Sequence, residues 1–101
     1  MIKEVYARAE KLPRSEDFIL KQQLKRAIVS VALNIAEGKN RKSAKDFANF
    51  LVIAVASLAE ADAVLELCFE LGYLDVEQSL RDKITVLSKR INALRMRLQK
   101  G

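Results

Sequence analysis

A cluster of four basic residues near the middle of the chain is the group best suited to bind a ligand. Lys39, Arg41, Lys42 and Lys45 lie within seven residues, and no acidic residue separates them. Ammonium and guanidinium groups contact phosphate oxygens, and each phosphate they neutralise releases counterions, which favours binding of a polyanion. The spacing therefore predicts a cationic corner at 39–45, and it indicates no reaction.

Residues that carry most acid–base and metal chemistry are missing from the sequence. There is no histidine, which excludes histidine-based metal sites and histidine-based proton transfer. The single cysteine, Cys68, falls on an apolar helical stripe, where we expect a buried and unreactive thiol. We therefore expect no enzyme activity, no metal and no cofactor.

Length and composition bound the class of protein. A chain of 101 residues, half of them hydrophobic, predicts a single four-helix-bundle domain over 1–101. The first residues are too charged for a signal peptide. The longest apolar run, 50–59, is about half of the ~20 residues that a membrane span needs. We expect a cytoplasmic protein that does not enter a membrane.

The positions of proline, glycine and capping residues divide the first half of the chain into helices. Pro13 ends a short first helix over 2–12. Ser15 or Asp17 can cap a second helix, and Gly38 can supply the left-handed residue that ends it. Two helices are therefore predicted before the cationic corner, and the second ends at it.

Two further helices are predicted after the corner. Ser43 caps the third, with Asp46 at the capping-box position, and Gly72 ends it. Asp75 caps the fourth, which continues to about Lys100. The connections between the long helices are short, so successive helices must be antiparallel neighbours. The predicted fold class is all-α, an antiparallel up-down four-helix bundle with a short first helix.

This topology predicts a larger basic surface than the corner alone. The end of the fourth helix returns toward the corner, so its basic residues can extend the site. The candidate nucleic-acid-binding residues are Lys39, Arg41, Lys42, Lys45, Arg90, Arg95 and Arg97.

Charge sorting along the chain offers a competing interpretation. Residues 46–75 hold six acidic and no basic side chains, whereas residues 76–101 hold seven basic and two acidic ones. The basic fourth helix can therefore simply pair with the acidic third helix, and both interpretations of the fourth helix stay open. The corner at 39–45 lies beyond the acidic helix and is not covered by this alternative.

Two polar residues near the corner need partners. Glu37 falls in the last turn of the second helix, where the helix dipole disfavours an anion. Asn34 lies in an otherwise apolar stretch and must be hydrogen-bonded if it is buried. We predict a structural polar clasp of Asn34, Glu37 and Arg41. The alternative is that Glu37 points to solvent.

A set of short motifs over 23–74 resembles a known family. On these residues the chain resembles the small bacterial four helix bundle proteins, also called 23S rRNA intervening-sequence proteins. It departs from them at Val31-Ala32-Leu33, where the family usually has Ile-Pro-Ser. The motifs are Gln23-Leu24, Arg26-Ala27, Asn34-Ile35-Ala36-Glu37-Gly38, Arg41, Ser43, Phe50-Leu51, Ala54, Ser57-Leu58, Glu60 and Leu71-Gly72-Tyr73-Leu74.

The resemblance carries expectations about assembly and partners. The family includes the accessory variability determinant proteins of diversity-generating retroelements, which implies a basic, barrel-like homo-pentamer that binds nucleic acid and a reverse transcriptase. The first hypothesis is a non-enzymatic homo-oligomeric bundle, a pentamer by preference, that binds RNA or DNA phosphates. The alternative is a protein-interaction module or accessory subunit, for example of a reverse transcriptase, without direct nucleic-acid binding.

Overall fold

A computed structural model describes residues 1–75 and 78–100. Four α-helices follow one another as α1 (Ile2–Glu10), α2 (Leu20–Lys39), α3 (Ala44–Glu70) and α4 (Gln78–Lys100), and a 3₁₀ turn covers Arg14–Glu16. No strand occurs in the described residues. The predicted all-α antiparallel bundle with a short first helix is therefore confirmed.

The predicted start of the second helix was wrong. Neither Ser15 nor Asp17 caps α2, because the 3₁₀ turn occupies this region and α2 begins only at Leu20 with no side-chain cap. The Asp17 carboxylate instead lies 3.3 Å from the Lys21 ammonium, one turn along the chain. The helix therefore starts later than its capping residues suggest, and tertiary packing of Leu20, which is buried, fixes its first turn.

Gly38 is helical, and its predicted left-handed conformation was wrong. The helix continues through it to Lys39, and Asn40 follows with right-handed backbone angles. A Cβ atom on Gly38 would lie 2.7 Å from Cδ1 of Phe47 and 3.0 Å from Cβ of Phe50. The glycine is therefore needed for the close approach of α2 and α3 and not for a turn.

Both predicted signals around α3 are confirmed. The Asp46 backbone N–H donates to Ser43 Oγ at 3.0 Å, which caps the first turn. At the other end Gly72 has a φ of 79°, and the Tyr73 N–H donates to the Cys68 carbonyl at 2.9 Å. The prediction that Asp75 caps the fourth helix involves residues 76–77, which lie outside the described residues.

Helix α3 is the centre of the molecule. It packs against α2 on one side and α4 on the other, as its wide apolar surface predicts. Helix α1 lies antiparallel on α2, and its Glu10 carboxylate contacts the Lys25 ammonium. None of the described helices is long and apolar enough to cross a membrane. The largest fully buried side chains are Leu24, Ile28, Leu51, Leu58, Leu80, Val5 and Cys68.

Candidate nucleic-acid interface

The cationic corner is formed by the end of α2, the loop over 40–43 and the first turn of α3. The close contact at Gly38 holds the two helix ends together. Lys39, Lys42 and Lys45 are all exposed, and none forms an ion pair with a described residue. Three ammonium groups on one end of the bundle thus keep their full positive charge toward solvent.

Arg41 differs from the three lysines because its guanidinium is already engaged. Its Nη2 donates to Glu37 Oε1 at 2.6 Å, one turn back along the chain. The same guanidinium lies 4.8 Å from the centre of the Phe50 ring, a cation–π distance. Arg41 therefore ties the loop to both helices and contributes less free charge than the lysines.

Asn34 does not join this pair, so the predicted three-residue clasp is corrected to Glu37 and Arg41 alone. The Asn34 amide donates to the Ser30 carbonyl at 2.8 Å and to Ser30 Oγ at 3.0 Å. Ser30 Oγ in turn lies 2.8 Å from Ser57 Oγ on α3. Asn34 thus belongs to a half-buried polar contact between α2 and α3. The four-residue spacing of Ser30 and Asn34, which places both side chains on one face of α2, was the sequence signal for this contact.

The end of α4 returns to the corner. Leu98 and Gln99 line one surface depression together with Ala44, Lys45 and Asn49 of α3. The basic residues of this last part of α4 therefore lie at the same end of the bundle as the corner lysines.

Two of the three predicted α4 arginines lie on this last part of the helix. Arg95 donates to Asn92 Oδ1 at 3.2 Å and to Gln99 Oε1 at 2.9 Å, so neutral side chains hold it and its charge is not cancelled. Arg97 is exposed and forms no ion pair with a described residue. Both arginines therefore add positive charge near the corner.

The structure places Arg90 away from the other predicted residues. It lies seven residues before Arg97, which corresponds to about 10 Å along the helix axis. It lines a separate depression with Asp82, Lys83, Val86 and Leu87. Arg90 is also exposed and unpaired within the described residues, but it belongs to the middle of α4.

The start of α4 contains a cation that the sequence did not single out. Arg81 forms two hydrogen bonds of 3.1 Å with the Asp62 carboxylate, and a third bond joins it to Glu66. The hydrogen bonds to Asp62 raise the pKa of Arg81 above its ordinary value. The four-residue spacing of Asp62 and Glu66, which places both carboxylates on one face of α3, was a sequence signal for a basic partner on α4. Pairing between α3 and α4 therefore accounts for Arg81, whereas Arg90, Arg95 and Arg97 have no acidic partner in the described residues.

The surface offers phosphate contacts and little other chemistry. Phe47 and Phe50 are half-buried, so the corner exposes no free aromatic ring for base stacking. Burial raises the pKa of the Cys68 thiol, which keeps it protonated and inert. No group of three or more metal-binding side chains occurs in the described ranges.

The protein is thus an antiparallel helical bundle with a short first helix and a cationic end. The model of the 23S rRNA-intervening sequence protein family matches residues 1–93, and the chain belongs to that family. A comparison with curated proteins gave no match.

Proposed function

We propose that the protein is a non-enzymatic, homo-oligomeric helical bundle that binds RNA or DNA phosphates through its cationic end. The observation that carries the proposal is the set of unpaired cations at Lys39, Lys42 and Lys45, beside Arg95 and Arg97.

The charges at this end favour a polyanion over a protein ligand. Lysines that balance neighbouring acids contribute little to an external field, but these three have no acidic partner in the described chain. A lysine ammonium is a compact, strongly hydrated charge on a flexible stem, which suits contacts with phosphates spaced along a backbone. Binding through such contacts is independent of base sequence and falls steeply with salt.

Assembly into a homo-oligomer is part of the proposal, and a pentamer is the preferred form. A small helical domain with apolar side chains on its outer faces lowers its free energy by burying them against other copies. Leu33 is 62% exposed, and Val52 and Ile53 are each 47% exposed on the outer face of α3. A ring would repeat the cationic end and multiply the phosphate contacts.

The second candidate function is an accessory subunit that docks on another protein, such as a reverse transcriptase, without binding nucleic acid itself. It is favoured by Phe18 and Ile19, which are 88% and 63% exposed in the connection before α2. Adjacent apolar side chains with this exposure are typical of contact surfaces between proteins.

The test is a titration of labelled mixed-sequence RNA, followed by fluorescence anisotropy at several salt concentrations. Lys39→Gln combined with Lys42→Gln should weaken binding and reduce the slope of log affinity against log salt by about one unit per lost contact. Light scattering on the same samples gives the number of subunits. A monomer at working concentration would contradict the proposed assembly.

A matched control removes the same charge elsewhere. Lys3 and Lys11 are exposed on α1 and just after it, without an ion pair to a described residue. Lys3→Gln with Lys11→Gln should leave both affinity and slope close to those of the parent. Equal loss in the two double variants would mean that net charge alone drives binding. Absence of binding at low salt would favour the accessory-subunit function.

A further inference from the structure

Helix α1 covers only part of the surface that α2 and α4 offer it. It has nine residues, whereas α2 has 20 and α4 has 23. Its C-terminal Glu10 lies beside Lys21 of α2, and its other end reaches Ile35 of α2. Past that point the described chain supplies no further helix to cover these surfaces of α2 and α4.

An apolar groove opens at this end of α1. Its lining is formed by α1, α2 and α4, and every side chain in it is apolar. A groove without polar groups excludes phosphates and sugars, because it cannot replace their hydrogen bonds to water. Its lining residues are Met1, Ile2, Ile28, Val31, Ala32, Ile35 and Leu87.

Unpaired cations flank this groove on both sides. Lys39 follows Ile35 by four residues on α2, and Arg90 follows Leu87 by three residues on α4, so each shares a helix face with a lining residue. Both are exposed and form no ion pair with a described residue. Acids also lie near these cations, and other groups engage them. Glu4 of α1 is paired with Lys83 at 2.9 Å, Glu37 is paired with Arg41, and Asp82, which lines a depression with Arg90, accepts a hydrogen bond from Gln78 at 2.8 Å.

Helix α1 itself demonstrates which ligand fits such a surface. It buries Val5 and Ala9 completely, and its acidic side chains reach out on both sides. Glu4 pairs with Lys83 of α4, and Glu10 lies 3.4 Å from Lys21 of α2. The cations of α2 and α4 along this line thus already accept carboxylates from an amphipathic helix, whereas the basic Arg8 of α1 lines a different pocket with Glu66 and Asp75.

We propose that the groove binds an amphipathic helix of a partner protein, with an apolar stripe toward Ala32, Ile35 and Leu87 and acidic flanks toward Lys39 and Arg90. Burial of the stripe supplies affinity, and the flanking charges fix orientation and select acidic over basic helices. This inference does not depend on nucleic-acid binding at the cationic end.

The test uses a designed helical peptide of about 15 residues, labelled with fluorescein, with Leu at i, i+4 and i+7 and Glu on both flanks. A twin peptide carries the same Leu stripe and Lys in place of Glu. Anisotropy titrations should show saturable binding of the Glu peptide, tighter than that of the Lys peptide by at least about tenfold. Equal affinity for both peptides would overturn the proposal.

Substitutions in the groove locate the binding. Ala32→Trp fills the groove and should weaken binding of the Glu peptide by at least about tenfold. Ala63→Trp is the matched control, since Ala63 is likewise exposed within a helix and lies on α3, ten residues beyond Ile53. Circular dichroism establishes that both variants are folded. If the two Trp variants bind the Glu peptide with equal affinity, the peptide does not bind in the groove and the proposal is overturned.

Charge variants separate this site from the proposed phosphate surface. Arg90→Gln should weaken binding of the Glu peptide by about two- to fivefold, which corresponds to the loss of one exposed ion pair. Lys89→Gln is the matched control and should leave that affinity unchanged. Lys42→Gln should weaken RNA binding and leave the affinity for the Glu peptide unchanged. Loss of RNA binding but not of peptide binding in Arg90→Gln would assign Arg90 to nucleic acid and contradict the proposal. A changed subunit number in Ala32→Trp would mean that a second copy fills the groove, and would also contradict it.

Discussion

The two basic regions of the chain look alike in sequence and differ in what surrounds them. At the start of α4, Arg81 is held by the carboxylates of Asp62 and Glu66. At the corner, Lys42 and Lys45 have no acidic partner in the described chain. The first region holds two helices together, and the second presents its charge to solvent.

This difference shows how helix register decides what a basic residue does. The acids of α3 that face α4 lie in its second half, where α4 begins. The first half of α3, which meets the returning end of α4, has only Asp46 as an acid before Glu60. An antiparallel arrangement therefore neutralises one end of the α3–α4 pair and leaves the other end cationic.

The largest expected effect comes from removing the close contact that builds the corner. Gly38→Leu would force a side chain into the space of Phe47 and Phe50, so we expect a loss of about 2–3 kcal/mol in the free energy of unfolding. Urea denaturation measures it. The control is Ala36→Leu, an exposed position of the same helix, which should change stability by less than about 0.5 kcal/mol. Equal stability of the two variants would show that the α2–α3 approach is looser than described.

The next effect separates the two basic regions directly. Arg81→Gln leaves Asp62 and Glu66 together without their cation, and it should cost about 1–2 kcal/mol of unfolding free energy in these half-exposed surroundings. Lys42→Gln should cost less than about 0.5 kcal/mol, because no contact is lost. Thermal melts of both variants check this. A larger loss of unfolding free energy in Lys42→Gln than in Arg81→Gln would contradict the distinction between a paired and an unpaired basic region.

A smaller effect is expected at Glu37. Its pair with Arg41 is half-exposed on both sides, and the helix dipole opposes an anion in this turn. Glu37→Ala should therefore change the unfolding free energy by less than about 0.5 kcal/mol. Chemical denaturation gives the value. A loss above about 1.5 kcal/mol would show that this pair supports the corner as strongly as a buried contact does.

The smallest effect is the pH dependence of the ion pairs made by α1. Hydrogen bonding to Lys25 lowers the pKa of Glu10, and hydrogen bonding to Lys83 lowers that of Glu4, both from an ordinary 4.5. The folded state thus binds fewer protons than the unfolded state below that value. Their contribution is present above pH 4.5 and is lost as the pH falls through the lowered pKa. Glu10→Gln should reduce the fall in melting temperature that accompanies a drop in pH below about 4.5, as measured by thermal melts at several pH values. The same fall in melting temperature in Glu10→Gln and in the parent would contradict a contribution of the Glu10 ion pair to stability.

Local signals predicted most of the fold. Ser43 and Gly72 act through their own backbone and side chain, so their roles as cap and stop are readable from the sequence. Gly38 and Ser15 were misread because tertiary contacts decide them. The first accommodates two phenylalanines from another helix, and the second lies in a 3₁₀ turn that delays α2.

The candidate site was predictable only in part. The cluster at 39–45 is contiguous in sequence, so its charge was visible at once. Which cations lack partners depends on the register between α3 and α4, which no local pattern in the sequence shows. Asn34 was assigned the wrong partner although Ser30, which accepts both of its hydrogen bonds, lies one turn before it; only the contact of Ser30 with Ser57 depends on the packing of α3.

The most direct test of the account is to map where RNA contacts the protein. Isotope-labelled protein is titrated with a short RNA duplex at low salt, and the backbone amide shifts are followed by NMR. If the cationic end binds RNA, the amides over 39–45 and 95–100 shift first and together, while those around Arg81 stay unchanged until the protein is saturated. Shifts centred on Arg81 and Lys83, or no shifts at all, would contradict the claim that the unpaired cationic end is the binding surface.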